Sequence, residues 1–216
     1  VTTGRTMAAI AAGEDVWESN RGGKKGGRTK RKVAAPPPDF REPQLATLVD
    51  AVPSGNDWLH EYKYDGYRLL LAVGETSVLA WTRNGKDWSD FFAPLTRAAA
   101  KLPPGCLLDG EAVALGPDGK PNFQLMQATL KGGPSAAGKE KPDLAYYAFD
   151  LLVDQGEDIT ALPTIERKQR LAALLKTAPP SIIYGDHVVG RGEKLFEAVC
   201  KEGGEGIISK KASAPY

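Results

Sequence analysis

The chain has 216 residues, 25% of them charged and 42% hydrophobic, and a net charge of +1. That mixture excludes a disordered, collagen-like or disulfide-dense chain, and no apolar run approaches the ~20 residues that span a bilayer. The near-neutral total hides a division: residues 1–32 carry eight Lys/Arg against three Asp/Glu, a local +5, which leaves −4 for the rest.

In chain order, residues 1–12 suggest a short helix capped by Thr6, with no signal-peptide core. Residues 19–38 are rich in Gly, Lys, Arg, Ala and Pro, end in Pro36-Pro37-Pro38, and cannot bury a core. Two readings stand for this basic stretch: an arm that contacts phosphates, or a tether to another domain. The expected division is therefore an arm or linker over 1–42 and a folded domain over 43–216.

Within that domain, Trp58–Lys63 and Tyr67–Val73 read as strands joined at Asp65-Gly66, a favourable hairpin pair. Ser77–Thr82 reads as a strand, Arg83-Asn84-Gly85 as a turn, and Trp88–Lys101 as a helix with Phe91, Phe92 and Leu95 inward. Cys106–Leu115 reads as a strand, Asn122–Leu130 as a short helix, and Lys131–Pro142 as a Gly/Ser/Lys-rich loop. Leu144–Val153 is a strand. Pro163–Lys176 is a helix with Ile165, Leu171, Leu174 and Leu175 on its apolar side. Ile182–Tyr184 and His187–Val189 are short strands, Glu193–Lys201 a helix packing Leu195, Phe196, Val199 and Cys200, and Gly206–Ser209 a last strand. Strands interrupted by single helices give an α+β domain of antiparallel sheets. Cys106 and Cys200, the only cysteines, are expected to be buried thiols. Two His and two Cys without ligand spacing argue against structural zinc.

The chemistry gathers at Lys63-Tyr64-Asp65-Gly66-Tyr67-Arg68. A Lys at a strand end is a covalent nucleophile when it is held neutral, and a nearby cation and desolvation both favour that form. Glu111, in an apolar strand, needs a partner or a metal. Each residue also has a plainer reading: a solvated Lys63, a buried ion pair at Glu111, a solvated strand-end Glu205, a core Phe149.

Lys63-x-Asp65-Gly66-x-Arg68 resembles motif I of the covalent nucleotidyltransferases: ATP-dependent DNA ligases, RNA ligases and mRNA capping enzymes. Further resemblances follow in the family's order at Arg83-Asn84-Gly85, Leu108-Asp109-Gly110-Glu111, Ala148-Phe149-Asp150 and Glu205-Gly206-Ile207-Ile208-Ser209-Lys210. With Glu42-Pro43-Gln44-Leu45-Ala46-Thr47-Leu48, the wording is most similar to the ligase domain of bacterial DNA ligase D, an enzyme of non-homologous end joining.

The resemblance implies a nucleotidyltransferase fold, the ATP-grasp-like catalytic core of DNA ligases. It implies that Lys63 attacks the α-phosphorus of ATP and carries AMP. It places Arg68 and Glu111 on the ribose or phosphates, Phe149 against adenine, Glu61 on the adenine amino edge, and Lys210 near the α-phosphate. Arg83 is implied to hold the ribose or the 5′-phosphate of nicked DNA. Glu111 and Glu205 are implied to hold Mg²⁺ or Mn²⁺. Implied partners are nicked or broken duplex DNA, a Ku-like end-binding protein, and upstream polymerase or phosphoesterase domains of the same polypeptide. A monomer without membrane attachment, cytoplasmic and nucleoid-associated in a bacterium, completes the expectation. In the family, a motif with two lysines and a small β-barrel follow the position of Tyr216, and full ligation is expected to need them. The alternatives are an RNA ligase, a capping-type enzyme, or a non-catalytic module that binds DNA or a partner.

Overall fold

The computed structural model describes residues 34–131 and 143–216. The expected N-terminal helix, most of the basic arm and nearly all of the Gly/Ser/Lys-rich loop lie outside the described residues. The elements are β1 (Trp58–Tyr62), β2 (Tyr67–Val73), β3 (Val78–Thr82), α1 (Ala93–Ala99), β4 (Cys106–Ala114), α2 (Phe123–Lys131), β5 (Leu144–Asp154), β6 (Glu157–Asp158), α3 (Thr164–Leu174), β7 (Ile182–Tyr184), β8 (His187–Val189), α4 (Gly192–Lys201) and β9 (Ile207–Lys211).

They build two sheets. The larger has six strands, ordered β3-β2-β4-β5-β6, with β7 paired to β5. The β5–β7 pair is parallel, a departure from the all-antiparallel expectation. The smaller sheet is β8-β1-β9, antiparallel throughout. The run Leu69-Leu70-Leu71-Ala72-Val73 is buried at every position because the large sheet is covered on both faces. Leu69, Leu71, Leu108, Tyr146 and Leu151 face the main core with Phe92, which precedes α1, and Leu95 of α1. Leu70, Ala72, Leu107 and Leu152 face a second layer with Phe40, Trp81 and Tyr216.

The expected hairpin does not form. β1 pairs with β8 and β9, whereas β2 pairs with β3 and β4. Residues 63–66 therefore cross from one sheet to the other. Gly66 serves this crossover through space rather than through a left-handed backbone: a Cβ there would stand 2.2 Å from the Ala112 carbonyl oxygen.

Other boundaries differ for local reasons. The helix expected from Trp88 begins only at Ala93, because Pro94 is tolerated only in the first turn. Phe92 and Leu95 are buried as expected, while Phe91 is half-buried. On α3 the buried residues are Thr164, Arg167, Lys168 and Leu171, so the inward stripe includes two cations. On α4 only Val199 of the four expected residues is buried; Leu195 is half-buried, and Phe196 and Cys200 are exposed. Cys106 is buried as expected.

The compact unit begins at Ala34, ahead of the expected start at Pro43. Ala35 and Glu75 exchange hydrogen bonds, Phe40 packs edge-on against Trp81 with ring centroids 6.2 Å apart, and Arg41 forms an ion pair with Asp158. Among the described residues no helix is long and apolar enough to cross a membrane.

Candidate active site

The crossover puts the two ends of the Lys63–Arg68 stretch on different sheets, and the site forms where the sheets meet. Lys63 leaves the end of β1, and its backbone N–H donates to Gly206 O at 3.0 Å. That bond places the start of β9 beside it, and the Lys63 ammonium forms an ion pair with Glu205. Two residues far apart in sequence thus meet because β1 and β9 are neighbours, with Tyr62 opposite Ile207.

Arg68 stands at the start of β2. Its Nε and Nη2 donate to the two oxygens of Asp109 at 3.0 and 2.6 Å, and its Nη1 donates to Gln44 O at 2.7 Å. Asp109 is fully buried and also accepts from the Tyr216 hydroxyl at 2.8 Å. Burial works against the charged guanidinium, but the Asp109 pairing outweighs it and leaves Arg68 firmly protonated. A planar fork fixed in this way is suited to holding phosphate or ribose oxygens.

Glu111 lies directly across the β2–β4 ladder from Arg68, and Tyr147 lies across β4–β5 from Glu111. Burial pushes Glu111 up to about 8; Arg68 and Lys63 pull it down, while Asp109 and Asp65 push it up. Phe149 is on the same strand as Tyr147, with the Arg68 guanidinium 5.3 Å and the Lys210 ammonium 4.6 Å from its ring centre. Tyr147 stacks on Tyr64 at 4.0 Å.

Glu61, 4% exposed, lies between two lysines: Lys168 Nζ donates to Oε1 at 2.6 Å and Lys210 Nζ lies 2.8 Å from Oε2. Burial alone would raise Glu61, but the charges of Lys210 and Lys168 win and hold it below the usual carboxylate range. Burial keeps Lys168 below the ordinary lysine range despite that partner.

The structure therefore connects Lys63 with Glu205, Arg68 with Glu111 and Phe149, and Phe149 through Lys210 with Glu61. Arg83 stands apart in an exposed turn after β3. It follows Thr82, which pairs with Leu69, so it is level with Arg68 at the same sheet end. Asp109, Tyr216, Lys168 and the buried Arg167–Asp150 pair, bonded at 2.8 and 2.9 Å, have no role in the sequence reading. The available signal was an Asp in each of two apolar strands, since a buried carboxylate requires a partner. Nothing local marked the tyrosine.

A family description, the ATP dependent DNA ligase domain, matches residues 43–216. The chain belongs to that family. Among curated relatives, the multifunctional non-homologous end joining protein LigD of Pseudomonas aeruginosa is 35% identical over 91% of this chain and 22% of its own length. The bifunctional LigD of Bacillus subtilis is 31% identical over 78% of this chain and 31% of its own. This ligase domain thus spans between a fifth and a third of those relatives. Among solved structures, the ligase domain of M. tuberculosis LigD superposes with a TM-score of 0.62 at 28% identity, covering 76% of this chain and 51% of that one. A mycobacterial DNA ligase D complexed with ATP and MES gives 0.61 at the same identity and coverage. The Chlorella virus DNA ligase-adenylate, 23% identical with a TM-score of 0.55 over 79% of this chain and 60% of that one, shares the fold. These matches favour the DNA ligase domain over the RNA ligase and capping alternatives.

Proposed function

We propose that this ligase domain forms a covalent lysyl-AMP intermediate from ATP for sealing nicks or ends in duplex DNA. The observation that carries the proposal is the meeting of Lys63 and Glu205 at the seam between the sheets, beside the Asp109-braced Arg68. In the proposed step, the Lys63 ion pair opens and Nζ gives up a proton to solvent water, which reaches this partly exposed side chain. Its lone pair then attacks the α-phosphorus in line, an N–P bond forms, and the P–O bond to pyrophosphate breaks. Arg68 holds oxygens of the nucleotide, Phe149 offers a face to the adenine, and Glu61 and Lys210 lie at the base and phosphate sides. Arg83, exposed and level with Arg68, would meet a DNA 5′-phosphate.

Glu111 and Glu205 fit a hard divalent cation, Mg²⁺ or Mn²⁺. Among the described residues no group of three or more His, Cys, Asp or Glu forms a ready metal cage. Two carboxylates completed by phosphate oxygens and water suit Mg²⁺. Such an ion would offset the charge developing on the phosphates. The relatives' names speak of non-homologous end joining, and the proposal extends to double-strand break repair in a bacterial cytoplasm. A Ku-like protein and additional polymerase or phosphoesterase domains would be the partners, and the chain would act as a monomer.

Incubation with ATP and a divalent cation, followed by intact-mass and peptide mapping, tests the proposal. The expected result is a gain of one AMP on Lys63, absent from Lys63→Ala. An adduct that persists in that variant, or maps to Lys210, would overturn the assignment. A label taken from GTP rather than ATP would do the same for the choice of nucleotide.

A further inference from the structure

Glu61 is a buried carboxylate with both oxygens taken, and its two partners are not equivalent. Lys168 is fully buried and held three ways: it donates to Glu61 Oε1 at 2.6 Å and to Gly185 O at 2.5 Å, and it sits 4.6 Å from the centre of the Tyr184 ring. The Lys210 side chain is 19% exposed along its length, while its ammonium is buried, makes no hydrogen bond and lies 2.8 Å from Glu61 Oε2 beside Phe149, which Arg68 also faces. One lysine is hydrogen-bonded into the scaffold, and the other is held only by its ion pair and the Phe149 ring. If Lys210 turned toward an arriving phosphate, Glu61 would be a buried anion with a single counter-charge. Without Lys168 it would be unpaired, which buried carboxylates avoid by losing charge or moving.

We propose that Lys168 is a positioning residue, the fixed counter-ion that keeps Glu61 charged and aimed while Lys210 exchanges Glu61 for a nucleotide phosphate. Oε2 is then free to accept a hydrogen bond from the 6-amino group of adenine. The proposal rests on the nucleotide-binding reading above. An ionised carboxylate only accepts hydrogen bonds, so it matches an amino group and opposes the 6-oxo group of guanine. A site that binds one such group rejects the analogue strongly, because its own polar atom is left unpaired. Lys168 would therefore act on the choice of base without touching the nucleotide.

Equilibrium binding of ATP and of GTP to the 216-residue chain tests this, with Lys168→Met, Glu61→Gln and the double variant beside the parent. Native-state unfolding of each variant is measured in parallel. The parent is expected to prefer ATP. Lys168→Met is expected to lose at least about tenfold of that preference, chiefly by weaker ATP binding. The double variant is expected to show the same preference as Glu61→Gln alone, because Lys168 acts through Glu61. Should Lys168→Met not fold, the double variant decides, since both buried charges are gone from it. A Lys168→Met chain with the parental preference overturns the proposal, and so does a double variant that loses further preference beyond Glu61→Gln. A parent that binds both nucleotides equally overturns the nucleotide reading itself, and the proposal with it.

Discussion

The large sheet and the small sheet hold their site residues in opposite ways. On the large sheet, Arg68 is fixed by Asp109 and Gln44, Tyr216 in turn donates to Asp109, and both faces of the sheet beyond are packed with Leu and aromatic side chains. On the small sheet, Lys63 and Lys210 each have one carboxylate partner, and both side chains are partly exposed. The group proposed to hold the nucleotide is braced, and the groups proposed to change partners are not. Preorganised donors cost no rearrangement when charge develops, whereas a nucleophile has to be released before it attacks.

The sharpest way to break this contrast is to strip the brace from the large sheet's side. Arg167 and Asp150 form a buried two-bond pair beneath the site, and Arg167 also donates to Leu162 O at 2.5 Å. Arg167→Met should cost about 3–5 kcal/mol, because Asp150 would be left charged and unpaired. Denaturant unfolding would show it, and Arg167→Met with Asp150→Leu should recover much of the loss. Next in size is the crossover. Gly66→Ala should cost about 1–3 kcal/mol through collision with the Ala112 carbonyl and should slow adenylate formation by displacing Lys63 from Arg68. Unaltered stability in that variant would show that the two sheets can shift independently.

A smaller effect sharpens the contrast instead. Tyr216→Phe removes one hydrogen bond to Asp109 and should cost about 1 kcal/mol in thermal or denaturant unfolding. It should raise the apparent KM for ATP while Lys63 reactivity at saturation changes little. The smallest effect is at the tether of residues 34–42. Asp158 is held below the usual carboxylate range by Thr160, side chain first and then backbone, with burial opposing and Arg41 adding to the lowering. A carboxylate depressed in the fold contributes stability above its unfolded value of 3.8 and loses it as pH falls through the folded value. Asp158→Asn should therefore have a shallower loss of stability below about pH 4 than the parent, measured by unfolding across a pH series.

Much of the fold was legible because it was local. Alternating and continuous apolar runs marked every strand except the two-residue β6, within a few residues of its observed ends. Pairing was not legible. The hairpin at Asp65-Gly66 obeyed every local rule, yet β1 found β8 and β9, and partner choice depends on residues more than a hundred positions away. Arg167 and Lys168 are not among the residues expected on the apolar side of their helix, yet both are buried. Their burial followed from Asp150 and Glu61 being beneath them, which periodicity alone cannot reveal. Phe196 and Cys200 failed the other way: they are apolar at helical spacing, yet α4 presents them outward. The site residues were legible as motifs, but their wiring through Asp109, Tyr216 and Lys168 belongs to the tertiary structure.

The crossover at residues 63–66 also acts as a ruler. Lys63 follows the last residue of β1 and Tyr67 begins β2, so a short span joins two sheets, while pairing with β3 and β4 sets which face of β2 carries Arg68. One residue added or removed would have to be absorbed within that span or slip β2 by one position against β3 and β4, and the slip would turn Arg68 to the opposite face of the sheet. The turn at Gly116–Gly119, whose tip borders open space, has no such constraint. Length variation among functional versions of this domain should therefore be admitted at the second position and excluded at the first.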